Sequence, residues 1–431
     1  MSTAKEYVDH VLSLEKQHIA WRSTCLNMIA SENVASPMVR GRLSTDLQNR
    51  YVNVIDTLSS NWKVLEKVRG YEGLQYVEEI EKICQKLLKR LFEASYVDYR
   101  PISGGVAILA NWLTLSNYGD TIVTTSARDG GHGSGWDDAA ILLGRKNKHW
   151  PFDGREYIID VEKAEKTIKQ LRPKLCVFGA SEILFPPPVK ELKDVAEEVG
   201  AHCVYDGSHV MGLIAGKHFL DPLRYDVTTL FGSTHKTFPG PQGGIILSNA
   251  DRNLTEKLDR NVCPTILGNY HQHRMAALTI AAAEMIEFGQ EYAYQTIKNA
   301  QALGQALHEI GFTVLCEHKG FTQTHQILLD VQALGLEGGE SAEMLAESNI
   351  ITSKTPLPGD KDPNISGGIR LGTSELTRLG MRESEMKHIA EFFKKCLIDM
   401  TDPKHVAEIV KEFTGGYRKM QYSFCDDQNA Y

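Results

Sequence analysis

The chain has 431 residues, more than one compact core accommodates, which points to two domains. Its 42% apolar and 24% charged residues are those of an ordinary globular protein, and a net charge of −8 without a basic run argues against nucleic acid or an anionic membrane as partner. Eight scattered cysteines with no CxxC, a polar beginning (MSTAKEYVDH) and no long apolar span predict free thiols, no metal site and a cytoplasmic chain.

Residues 1–25 carry a helical stripe of Val8, Val11, Leu12, Leu14 and Ile19, which is expected to pack on a partner subunit. LNMIASENVASP follows, a short apolar run whose Ser31-Glu32-Asn33 reads on its own as a turn with a helix cap. From Asn49 to Gly73 the pattern weakens, and TLSSNWK within it is polar and without periodicity. Residues 74–94 predict an amphipathic helix with Val77, Ile80, Ile83, Leu87, Leu88 and Leu91 on one face. In PISGGVAILANWL, Ser103, Gly104 and Gly105 directly precede a helix; its unpaired N–H groups suit a phosphate, although SGG alone reads as a cap.

TIVTTSARDGGHGSG is a strand followed by a glycine-rich loop with Asp129 and His132. KLCVFGASEILFPPP is an apolar strand with Ser181 at its end, and HCVYDGSH is another, ending in Asp206 with His209 three residues on. DVTTLFGSTHKTFPGPQGG then sets Lys236 just past a strand end, before a turn rich in proline and glycine. Strand, polar loop and helix alternating from residue 100 to 250 is the pattern of a mostly parallel sheet. After about residue 290 a long helix (Glu291 to Ile310), GFTVL, HQILLDV and GGIRLGT predict a smaller α+β domain. A helix from His405 to Phe413 follows, and the closing QYSFCDDQNAY has no assigned role.

Ligands of open α/β sheets bind beyond the carboxyl ends of the strands. Taken alone, Lys236 reads as a solvated loop lysine. Asp206 at an earlier strand end changes that reading. Pyridoxal phosphate needs an acid against its ring nitrogen and a lysine for its aldehyde, and these two residues supply both.

YDGSHVMGLIAG followed by STHKTFPGPQGG resembles the serine hydroxymethyltransferase branch of the fold-type I pyridoxal phosphate enzymes, and IASENVASP and GGIRLGT extend the likeness along the chain. RDGGH, THKTFPGPQ and GFTQTHQ are similar to the threonine transaldolases of that branch. The resemblance implies an α/β fold: an N-terminal helical arm (1–30), a large cofactor-binding domain with a mostly parallel seven-stranded sheet (31–290) and a smaller C-terminal α+β domain (291–431). It also implies a homodimer with shared active sites. By the same resemblance Lys236 is the Schiff-base lysine, Asp206 faces the pyridine nitrogen, and Ser181 and His209 hold the ring oxygen. Ser103, Gly104, Gly105 and His235, with Tyr51 and Gly268 of the partner subunit, take the phosphate. Arg370 clamps the amino acid carboxylate near Ser31. Guanidinium suits that task because its fork matches a carboxylate. His132 is the candidate base and ring-stacking group, with Tyr51 and Glu32 behind it. Hydroxymethyltransferases carry the stacking histidine at the position of Asp129, so the choice between 129 and 132 stays open. His271 and His273 read as helix-start residues rather than metal ligands.

The chain departs from the family after Tyr51. The family glutamate two residues later, which serves proton transfer and folate contact, is Asn53 here, and an inserted segment, Asp56 to Val68, follows. Asparagine cannot titrate, and Asp56 and Glu66 are out of register. Gln242 also replaces an arginine usual in the family. The reading favoured is therefore folate-independent aldol chemistry on an amino acid and an aldehyde. An L-threonine aldolase or transaldolase of this kind releases one aldehyde, leaves a glycine quinonoid and returns it to another. The alternatives are serine hydroxymethyltransferase with tetrahydrofolate and a catalytically silent homologue kept for subunit interaction. The insertion is expected to select the aldehyde.

Overall fold

The computed structural model describes residues 3–52, 54–58, 64–360, 366–426 and 428–431. Asn53, residues 59–63 of the insertion and the side chains of residues 54–69 lie outside that description. Two compact units divide the chain, one of residues 35–294 and one of residues 1–34 with 295–431.

In the unit of residues 35–294, apolar runs become a seven-stranded sheet. In chain order its strands are β1 (Tyr96–Asp98), β2 (Thr121–Thr124), β3 (Lys146–His149), β4 (Leu175–Gly179), β5 (His202–Asp206), β6 (Thr229–Ser233) and β7 (Gly244–Ser248). Their spatial order is β1-β7-β6-β5-β4-β2-β3, with β7 antiparallel to both neighbours and the pairs from β6 to β3 all parallel. Every residue of β4, β6 and β7 is buried, as expected of strands covered on both faces. Register brings Asp206, the last residue of β5, opposite Gly179, the last of β4, and opposite Phe231 of β6. The carboxyl ends of β4, β5 and β6 thus lie side by side.

The helix Gln75–Phe92 buries Val77, Glu81, Cys84, Leu88 and Leu91, a stripe with a carboxylate in its middle. Ile83, expected on that face, is 41% exposed. The reason is polar pairing: Glu81 accepts from the phenols of Tyr99 and of Tyr270, the latter at 2.7 Å, so the buried carboxylate keeps two donors. The weakly patterned insertion is not a loop throughout. Val54–Leu58 and Val64–Arg69 pair antiparallel, and the rings of Tyr51 and Tyr71 meet at 5.5 Å beside the two strand ends.

The second unit contains a four-stranded antiparallel sheet, Thr313–Val314, Gln326–Asp330, Gly368–Gly372 and Ser353–Thr355 in spatial order. Its core includes Ile327, Leu329, Ile369, Leu371, Phe393 and Val410. Because strand side chains alternate, Arg370 is on the face opposite Ile369 and Leu371. The helix expected from Glu291 begins earlier and runs Gln272–Glu309, so the division between units falls inside a continuous helix. The N-terminal helix Ala4–Arg22 has no buried residue, and Tyr7, Val8, Val11 and Leu12 are exposed. Among the described residues no helix is long and apolar enough to cross a membrane.

Candidate active site

Lys236 is half-buried three residues beyond β6, on a loop fastened from both sides. Before it, the Thr234 amide donates to Gly243 O (3.0 Å) and the Thr234 hydroxyl to Pro241 O (2.7 Å). After it, the Thr237 hydroxyl donates to His209 O (2.8 Å) and accepts from Gly212 N–H (3.0 Å). Thr237 thereby ties the lysine loop to the loop that follows Asp206. Beneath the turn lies Arg274, 4% exposed, which donates to Gln242 O (3.0 Å), Gly244 O (2.7 Å) and Tyr99 O. Burial pushes this guanidinium down to about 10, and carbonyl oxygens replace the water it has lost. Nothing in the sequence marks Arg274, since HQHRMAAL has the pattern of an ordinary helix start.

Asp206 is 5% exposed and accepts from Ser208 N–H (3.0 Å), a local turn that fixes its carboxylate at the strand end. On the next strand out, the loop after β4 carries Ser181. The amides of Ser181 and Glu182 both donate to Gly130 O, at 2.8 and 2.9 Å. Gly130 adopts φ of +87°, open to glycine at little cost, and so the glycine-rich loop of Asp129 and His132 is pinned over the end of β4. Within that loop Asp129 accepts from the Ser126 hydroxyl (2.6 Å). The His132 ring lies on Gly135, where an added Cβ would come within 2.6 Å of Nε2, and tilts against Trp136 at 6.4 Å between centroids.

The helix Gly104–Leu115 begins next to the end of β6, with Ser103 as its cap accepting from Val106 N–H (3.1 Å). A Cβ on Gly104 would sit 2.8 Å from Ser233 Oγ and 3.6 Å from Ser208 Oγ. Only glycine lets the start of this helix approach those two hydroxyls. Ser208 Oγ in turn accepts from Ser233 N–H (3.1 Å). Neither serine stands out in the sequence; each lies within three residues of Asp206 or Lys236, the one signal that marks it. His235 is half-buried, and burial, then the charges of Lys236 and Arg274, push it down to about 4. Its Nδ1 is buried with no hydrogen-bond partner among the described residues. The helix N-terminus and the two serine hydroxyls beside it form a donor set that fits a phosphate, and the lysine loop adds the orphaned imidazole nitrogen of His235. With an acid and a lysine at neighbouring strand ends, the residues present fit pyridoxal phosphate as a whole.

The remaining expected residues are distributed as follows. Tyr51 is 53% exposed. Gly268 is exposed, with open space where a Cβ would be. In the other unit Ser31 and Glu32 are half-buried, and Glu32 is ion-paired with Arg22 at 2.5 Å. Arg370 is half-buried and reaches Ser353 Oγ at 3.4 Å. No metal-binding group of three ligands occurs among the described residues.

A mostly parallel α/β sheet with this lysine and acid at its strand ends is that of a fold-type I pyridoxal phosphate enzyme. Comparison with known proteins narrows the class. The serine hydroxymethyltransferase family description matches residues 4–393. A serine hydroxymethyltransferase of Pyrococcus abyssi is 45% identical over 97% of both chains, and one of Methanocaldococcus jannaschii is 46% identical over 95% of this chain and 94% of its own. The solved L-threonine transaldolase of Pseudomonas fluorescens, in its internal aldimine state, superposes with a TM-score of 0.87 at 29% identity, covering 98% of this chain and 94% of that one. The chain belongs to the serine hydroxymethyltransferase family. It is a pyridoxal phosphate-dependent enzyme of the transferase type.

Proposed function

We propose that the enzyme cleaves and re-forms the Cα–Cβ bond of β-hydroxy-α-amino acids without folate, as an L-threonine aldolase or transaldolase. The observation that carries this reading is the pairing of a retained Lys236 and Asp206 with asparagine at position 53. Electron-sink chemistry is kept, while the titratable group associated with one-carbon transfer is not there.

Pyridoxal phosphate, when bound, delocalises the electron pair left on Cα as the bond breaks. The chain's residues do the rest. Lys236 Nζ would hold the cofactor through its aldehyde carbon. The Asp206 carboxylate keeps the pyridine nitrogen protonated. Ser181 and His209 hold the ring oxygen. Ser103, Gly104, Gly105 and His235, with the partner's Tyr51 and Gly268, hold the phosphate; Ser208 and Ser233 join that set on the strength of their approach to Gly104. Arg370 and Ser31 grip the substrate carboxylate, and His132 takes the β-hydroxyl proton, assisted by Tyr51 and Glu32. Donors fixed before the reaction cost no reorganisation while it proceeds.

The working form is a homodimer, a reading supported by the unburied apolar side of Ala4–Arg22. Eight buried free cysteines support a reducing, cytoplasmic setting. The hairpin of the insertion, with Tyr51 and Tyr71 at its base, is the proposed selector of the aldehyde.

Serine hydroxymethyltransferase activity is the second reading, favoured by the name shared by relatives 45–46% identical to this chain. One assay separates the two. Holoenzyme given L-threonine and an aromatic aldehyde, with and without tetrahydrofolate, should form acetaldehyde and the new β-hydroxy amino acid at equal rates. Serine cleavage that requires tetrahydrofolate would establish the second reading instead.

A further inference from the structure

Residues 417–431 have no part in the chemistry above, yet they end inside a polar cluster beneath the substrate-facing segments of the second unit. Met420 N–H donates to Gln428 O (2.8 Å) and Ala430 N–H to Arg418 O (2.8 Å), which turns the segment back on itself. Tyr431 then inserts its phenol between Asn27, which donates to it at 2.8 Å, and Glu375, to which it donates. Asn27 and Glu375 are 4% and 6% exposed. The Asn27 amide oxygen accepts from Arg22 Nε (2.5 Å), and Arg22 Nη2 reaches Glu32 at 2.5 Å. Arg22 is thus paired directly with Glu32 and linked to Glu375 through Asn27 and the phenol.

Both carboxylates belong to segments that matter for substrate. Glu32 adjoins Ser31, and Glu375 follows Arg370 by five residues. The two segments touch as well. Gly372 N–H donates to Met28 O (2.8 Å), and a Cβ on Gly372 would lie 2.5 Å from Ala30 Cα.

We propose that Tyr431 is a positioning residue: its phenol occupies Glu375, keeps Arg22 on Glu32, and so holds the Ser31-Glu32 segment in register with the Arg370 strand for the amino acid carboxylate. This rests on the substrate roles proposed above for Ser31 and Arg370, and not on which aldehyde, or whether folate, is used.

Glycine binding to the purified holoenzyme, followed by the change in cofactor absorbance, tests it with a ligand common to both functional readings. In Y431F the buried Glu375 loses its phenolic donor and draws Arg22 away, so glycine should bind roughly tenfold more weakly, the scale of one charge-assisted hydrogen bond. Adding E375Q to Y431F removes the competing charge and should restore glycine affinity to within about twofold of E375Q alone. A role in folding alone would lower the denaturation midpoint of Y431F and leave the glycine affinity of the folded holoenzyme unchanged. Wild-type affinity in Y431F, or no recovery in the double variant, overturns the proposal while leaving the function reading intact. Failure of the wild-type holoenzyme to bind glycine overturns both.

Discussion

Arg274 shows how much of the site rests on a side chain that touches no reactant in the account above. Its fork meets the carbonyls on either side of Gly243, where the lysine turn ends, and an added Cβ on Gly243 would lie 1.7 Å from its Nε. Lysine cannot reproduce that planar set of donors. R274K should therefore lose roughly 2 kcal/mol of stability, as buried carbonyls go unpaired, and should retain less cofactor after gel filtration. An unchanged denaturation midpoint together with full cofactor retention would contradict it. His132 is held in a comparable way by the gap at Gly135. G135A must push the ring from its place; we expect activity to fall with little loss of fold, since the ring is half-buried and can move outward. Activity at the wild-type level would show that the ring's position is immaterial.

Among the elements, strand ends were legible and polar exceptions were not. The runs ending in Asp206 and preceding Lys236 are apolar and bounded by turn residues, so the strands formed where their composition placed them. Glu81 defeated the helical pattern because a buried carboxylate with two phenolic donors looks, in sequence, like a solvent-facing residue. The insertion gave no alternation in TLSSNWK, yet Val54–Leu58 and Val64–Arg69 pair as strands. Pairing across a hairpin is not local to either strand, and composition alone did not reveal it. If that ribbon selects the aldehyde, replacing residues 54–69 by a short glycine linker should change the kcat/KM ratio of aromatic to aliphatic aldehydes by roughly tenfold while leaving the KM for threonine near its original value. An unchanged ratio would remove the ribbon from the specificity account.

The short helix Ser374–Arg378 supplies a prediction in pH. Burial pushes Glu375 up to about 6, opposed by the Tyr431 phenol, Arg22 and Asn27. A carboxyl held above its ordinary value of 4.5 binds its proton more tightly when folded than when unfolded. It therefore subtracts stability as pH rises from the ordinary value to about 6, and the full penalty remains above that. The stability of E375Q relative to wild type should accordingly rise by roughly 2 kcal/mol between pH 4.5 and 6.5 in denaturant titrations. A difference that is flat with pH would contradict the burial of a charge there.

At the scale of the whole molecule, the fold and cofactor follow from family membership together with the strand-end geometry, whereas the proposed choice of reaction rests on Asn53. A chain 45% identical to a serine hydroxymethyltransferase over nearly its full length has Lys236 and Asp206 at neighbouring strand ends, asparagine at position 53 and a ribbon of Val54–Leu58 and Val64–Arg69. The likeness of long motifs made the class readable without a structure. Tyr431 was not readable, because its partners Asn27 and Glu375 lie 404 and 56 residues away in the chain. The proposed chemistry turns on the amine at position 236. Borohydride reduction of the holoenzyme followed by peptide mapping tests that amine directly. The account predicts a single pyridoxyl group on Lys236, in the peptide containing STHKT, and none in K236A. A stable adduct on a different lysine, or an unlabelled Lys236 in a protein that retains its colour, would contradict it.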